Sequence, residues 1–137
     1  RPAITWFKDN QKLSGLEDKE ARIFIDDAIK FTAREIKRRV KYDGIIMDPP
    51  PYGRGPEGEK WTLQEQLDEL IHMSSALLHK QKSFFILSTY AVGLSALVGL
   101  NIARTYFEIK SPEYGEFFLK SPQGKDLPMG TFLRFAL

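Results

Sequence analysis

Asp48 closes the apolar run Ile45-Ile46-Met47 and is followed at once by Pro49, Pro50, Pro51 and the ring of Tyr52. An ionised carboxylate only accepts hydrogen bonds, and the carbonyls of Asp48, Pro49 and Pro50 add further acceptors. A proline drives the residue before it into extended geometry, so the stretch predicts a stiff, open arch where a strand stops. In open α/β sheets, ligands bind at the carboxyl ends of parallel strands, where this arch would sit. On residues alone the stretch is also a strand terminator, with Asp48 bonded to nearby backbone. A second carboxylate pair, Asp26-Asp27, follows the β-branched and aromatic run Ala21–Ile25 and precedes a helical pattern. Capping of that helix is its simplest role, because a side-chain oxygen there meets free N–H groups and the positive end of the dipole.

Other polar groups carry less. Arg34, Lys37, Arg38, Arg39 and Lys41 cluster at one predicted helix end. They fit an RNA-phosphate footprint, and equally the cations that a helix C-terminus attracts. Gly53 to Lys60 holds three glycines and a proline, which predicts a loop placed to act as a lid over a cleft. It lacks the Gly-Lys-Ser/Thr ending of a phosphate-cradling loop. His72 and His79 stand seven residues apart with no further ligand cluster, so no metal site is expected.

These groups need a frame, and the pattern of elements supplies one. Helical spacing covers Ala3–Leu13, ending at Ser14-Gly15, then Ala28–Val40, Leu63 to about Lys80, and Leu94–Arg104. Thr62 and Glu65 form a capping box before the third of these. Strand patterns cover Ala21–Asp27, Tyr42–Met47 and Ser83–Thr89. They also cover the pair Gly115–Lys120 and Thr131–Ala136, joined by a turn through Pro122-Gln123-Gly124. Alternating helices and strands predict a doubly wound α/β sheet with helices on both faces and an antiparallel strand pair at the end. A net charge of +2 excludes a polybasic chain, so any nucleic-acid contact must be local. The absence of cysteine excludes disulfides, thiolate metal ligands and a cysteine nucleophile within these 137 residues. No apolar run is long enough to span a bilayer, and no membrane partner is expected.

Taken in order, these stretches resemble the class I S-adenosylmethionine-dependent methyltransferases, and among them the bacterial rRNA (cytosine-C5)-methyltransferase-like branch. Asp48-Pro49-Pro50 with Tyr52-Gly53-Arg54-Gly55 resembles motif IV at the end of the fourth strand. Phe24-Ile25-Asp26-Asp27-Ala28 with Phe31 and Arg34-Glu35 resembles the third strand and its helix. Asp9-Asn10 with Ser14-Gly15-Leu16, Ser88-Thr89-Tyr90 with Gly93-Leu94-Ser95, Gly115-Glu116, Leu127-Pro128 and Gly130 fit the same order.

The resemblance implies a Rossmann-like methyltransferase sheet that is partial, with the first strands and the glycine-rich cofactor loop missing. Residues 1–137 would then be the C-terminal portion of a single catalytic domain, completed by an N-terminal segment or a partner chain. It implies methyl transfer from S-adenosylmethionine to RNA, in rRNA processing in the cytoplasm. Asp27 and Ala28 would bind the cofactor's adenine, Asp48 would face both cofactor and acceptor, and Pro49, Pro50 and Tyr52 would shape the acceptor side. Two departures qualify the chemistry. Pro51 stands directly after Pro-Pro, so the ring of Tyr52 comes one residue late. Where the carbon-methylating relatives carry a thiolate after the fifth strand, this chain has Ser88-Thr89-Tyr90. A non-catalytic Rossmann-like nucleic-acid- or protein-binding module, or a methyltransferase acting on a small molecule or a protein amide, are the alternatives.

Overall fold

The computed structural model describes residues 2–55, 58–91 and 93–137. Pro56 and Glu57, inside the expected lid, lie outside the described residues. The elements are α1 (Pro2–Leu13), α2 (Ala28–Lys37), β1 (Gly44–Met47), β2 (Tyr52–Arg54), β3 (Lys60–Thr62) and α3 (Leu63–Leu77). They continue with β4 (Phe84–Thr89), α4 (Ala96–Tyr106), β5 (Glu113–Leu119) and β6 (Leu127–Ala136).

Four strands form one sheet in the order β1-β4-β6-β5. β1 runs parallel to β4, with Met47 opposite Leu87, and β6 is antiparallel to both β4 and β5. Period-two alternation turns Ile45, Met47, Phe85, Leu87, Leu133 and Phe135 to one face. There they pack with Leu63, Leu67, Ile71 and Leu78 from α3 and just beyond it, and with Leu100, Ala103 and Phe107 from α4 and just beyond it. Phe85 is fully buried between the rings of Phe107 and Phe135, at centroid distances of 5.4 and 5.2 Å. The opposite face, which a doubly wound sheet covers with a second layer of helices, is open. Ile46 is 71% exposed there, and Phe84 and Phe117 are also exposed.

The expected strand at Ala21–Asp27 does not form; those residues run as irregular chain into α2. A β-ladder needs a neighbour, and no described strand lies beside this run. Phe24 and Ile25 are accordingly exposed. The helix expected to reach Val40 stops at Lys37. Arg39 takes a left-handed φ of 58°, the Arg39 N–H returns to the Ile36 carbonyl and the Val40 N–H to that of Glu35. This is a Schellman closure without its usual glycine. α3 ends at Leu77 rather than near Lys80 because Leu78 turns extended and bridges Tyr42. The capping box is also revised: the Thr62 hydroxyl donates to the Glu65 carboxylate, and Gln66 Oε1 accepts the Thr62 N–H at 3.0 Å. Part of the Gly53–Lys60 loop is ordered as a hairpin, with Gly53 opposite Trp61 and Arg54 opposite Lys60.

Candidate active site

α2 opens at Asp27, an extended residue with φ −68° and ψ 128° whose Oδ1 accepts the Lys30 N–H at 2.8 Å. Asp26 Oδ1 accepts the Asp27 N–H at 2.9 Å, and its other oxygen pairs with Arg34. That hydrogen bond to Arg34 holds Asp26 below the ordinary aspartate value. Asp26 is therefore committed to structure. Asp27 keeps one carboxylate oxygen without a hydrogen-bond partner among the described residues, and the neighbouring Ala28 N–H likewise has none. Phe24 lies against Phe31 at 5.2 Å, an apolar wall beside this donor–acceptor pair.

Further along α2, Glu35 is buried and accepts the Tyr42 hydroxyl at 2.7 Å and Arg38 at 3.1 Å. Chiefly through the tyrosine, its carboxyl is held below the ordinary glutamate value. The hydrogen bond ties α2 to the entry of β1. Separate structural contacts occupy much of the basic cluster: Arg34 serves Asp26, Arg38 serves Glu35, and Lys41 Nζ donates to the Ala76 carbonyl at 2.6 Å. Only Lys37 and Arg39 of that cluster lack such a partner among the described residues.

At the other end of the site, Asp48 leaves β1 beside Ser88 of β4. The Ser88 hydroxyl donates to Asp48 Oδ1 at 2.7 Å. Pro50 and Pro51 are engaged as well: Trp61 Nε1 donates to the Pro50 carbonyl at 2.6 Å, and the Leu63 N–H to the Pro51 carbonyl at 3.0 Å. The arch is thus locked by β3, α3 and β4 together.

Between the two ends lies one cleft of about 1360 Å³. Phe24, Asp27, Ala28 and Phe31 around the start of α2 line it together with Ile46, Asp48, Pro49 and Pro50 from β1 and the arch. Of the residues singled out from the sequence, it gathers Asp27, Ala28, Asp48, Pro49 and Pro50. Tyr52 is not among its lining residues and is 78% exposed. Residues the sequence did not single out as site residues also belong here. Arg54 lines the cleft from the hairpin, while Ser88 and Trp61 fix the arch. Ser88 was read only as standing where relatives carry a thiolate, and its pairing with Asp48 emerges through the β1–β4 register, whereas an arginine next to the arch was a readable signal. The two histidines do not meet: His72 stacks on Tyr106 at 4.6 Å and His79 lies 3.8 Å from Asp43. Among the described residues no group of His, Asp or Glu is placed to hold a metal. No described helix is long and apolar enough to cross a membrane.

Comparison with solved structures assigns the fold. The SAM-dependent methyltransferase from Agrobacterium tumefaciens matches 99% of this chain at 31% identity and a TM-score of 0.86. This chain spans 46% of that protein. SMU.776, a candidate methyltransferase complexed with SAH, matches 80% of the chain at 19% identity and a TM-score of 0.58. A candidate SAM-dependent methyltransferase from Streptococcus mutans matches 80% at 18% identity and a TM-score of 0.55. The chain covers 30% and 29% of these two. It spans less than half the length of each of the three. No protein-family model and no curated protein matches it. The architecture is the Rossmann-like fold of S-adenosylmethionine-dependent methyltransferases.

Proposed function

We propose that this chain, built on a methyltransferase fold, is the portion of a catalytic domain that holds the adenine of S-adenosylmethionine and presents the acceptor. The cleft between Asp27-Ala28 and Asp48-Pro49 carries the proposal. The residues fit the cofactor. The unpaired Asp27 oxygen and the adjacent Ala28 N–H form an acceptor and a donor side by side, the complement of the amino and ring-nitrogen edge of adenine. Phe24 and Phe31 offer the base an apolar wall. When bound, S-adenosylmethionine supplies a methyl group already activated by its sulfonium, which leaves the protein mainly positioning to do.

Asp48 and the Pro49 carbonyl perform that positioning. Both accept from the N–H groups of a planar amine, which turns the nitrogen face toward the cofactor end of the cleft. No residue of this chain offers a thiolate for carbon-5 chemistry, so a nitrogen acceptor suits these residues best. RNA is the acceptor we favour, on the resemblance to the rRNA-modifying branch, with a cytoplasmic setting to match. Tyr52, outside the cleft, would reach a stacked base only by moving.

The free edge of β1 and the open sheet face call for further strands and helices, from another segment of the same protein or from a partner. The cleft exceeds the roughly 300–1000 Å³ of ordinary small-ligand sites, consistent with such an addition.

The test supplies the intact protein with methyl-labelled cofactor and either RNA or protein acceptors. Label on RNA base nitrogens supports the proposal; label on protein amides alone moves the acceptor class, and label nowhere removes the enzyme. Lys37 and Arg39, without ion-pair partners among the described residues, favour a second reading as a nucleic-acid-binding module. It predicts cofactor-independent RNA binding whose salt slope falls by about one to two when both become alanine.

A further inference from the structure

We infer that Ser88 is a positioning residue that fixes the orientation of the Asp48 carboxylate toward the acceptor; the inference rests on the reaction proposed above. The register places Met47 opposite Leu87, so Asp48 and Ser88, the residues after this pair, stand side by side on the open face. The 2.7 Å hydrogen bond from Ser88 engages Asp48 Oδ1 and stops the carboxylate from rotating about its last bond. Trp61 uses the Pro50 carbonyl, and the Leu63 N–H uses that of Pro51. Among the described residues, two acceptors of the arch side chain and proline carbonyls stay unengaged: Asp48 Oδ2 and the Pro49 carbonyl.

Those two sites match a nitrogen with two hydrogens. A hydroxyl brings one donor and leaves one acceptor unpaired, which costs free energy once the acceptor has displaced water from the arch. Ser88 thereby acts through Asp48, without touching the acceptor, and makes the arch selective for an amine or amide nitrogen. Without the hydroxyl, the plane of the Asp48 carboxylate turns more freely, and the aligned pair is populated less often. An ångström of misplacement at a reacting nitrogen lowers a rate by about 100-fold.

A strand clip with no functional role would predict something else. Loss of Ser88 would then lower stability and leave turnover of the folded enzyme unchanged.

The experiment compares Ser88→Ala and Ser88→Thr with the wild type in the intact protein, reading kcat, acceptor KM, S-adenosylhomocysteine affinity and the urea midpoint. The expected result is kcat lowered about 10- to 100-fold in the alanine variant, with cofactor affinity and midpoint unchanged. Threonine, which restores the hydroxyl, recovers most of the rate. Wild-type kcat in Ser88→Ala overturns the inference, as does a parallel fall in midpoint with no change in kcat. A wild-type protein that neither binds S-adenosylhomocysteine nor transfers methyl defeats the underlying reading, and this inference with it.

Discussion

Asp27 is assigned two roles that single substitutions can separate. Its Oδ1 caps α2 by accepting the Lys30 N–H at 2.8 Å, and its second oxygen is the proposed partner of the adenine amine. Asp27→Ala removes both. Loss of the cap costs about 1 kcal/mol of stability. Loss of a hydrogen bond to a charged acceptor costs about 1.5–3 kcal/mol, or about 10- to 150-fold in affinity. Asp27→Asn caps as well as aspartate does, so its stability should stay close to wild type. Once the amide oxygen caps Lys30, its NH₂ group faces another donor, and affinity should fall nearly as far as in the alanine variant. The assays are urea unfolding and calorimetric titration of S-adenosylhomocysteine into the intact protein. An asparagine variant as stable as wild type but markedly weaker in binding is the expected pattern. If both variants bind like wild type while alanine alone loses stability, Asp27 only caps the helix, and the adenine assignment is wrong.

Three further outcomes follow from the packing. Phe85→Ala empties a fully buried site between Phe107 and Phe135 and should cost about 3–5 kcal/mol in chemical denaturation; a loss below about 1 kcal/mol would contradict the core described here. Gly130→Ala would set a Cβ 2.5 Å from the Thr89 carbonyl at a φ of 116°, displacing the end of β4. A cost of about 1–3 kcal/mol is expected, together with reduced transfer, and unchanged stability would refute the clash. Glu35 titrates below its ordinary value near 4.5 when folded, so its contribution to stability is complete above that value and disappears as pH falls through the depressed one. Glu35→Gln should flatten the fall in unfolding midpoint as pH drops below about 5; equal slopes in the two proteins would show that the Tyr42 and Arg38 contacts to the carboxylate contribute nothing.

Local chemistry explains what was legible in the sequence. Apolar runs stopped by proline located β1 and the arch, since proline has no N–H to donate to a central ladder. The runs at Ser83–Thr89 and Thr131–Ala136 likewise announced strands. Features that need a neighbour were not legible. Ala21–Ile25 has the composition of a strand, but pairing depends on a second strand that composition does not supply. Arg39 ends α2 in a left-handed turn without glycine, so no breaker was there to read. The hairpin arms around Gly53 and Trp61 were hidden by loop-like glycines and by the proline between them. At the site, Asp48 was conspicuous, whereas Ser88 becomes its partner only through strand register. Tyr52 illustrates the reverse: with Pro51 inserted before it, the ring lies outside the cleft.

The central claim is that the cofactor lies between the start of α2 and the arch. Hydrogen exchange of the intact protein, with and without S-adenosylhomocysteine, tests it directly. Slowed exchange is expected at the Ala28 amide and through the first turn of α2, and at Asp48, with little change in the β5–β6 hairpin. Binding that protects neither Ala28 nor Asp48 would place the cofactor elsewhere and contradict the assignment.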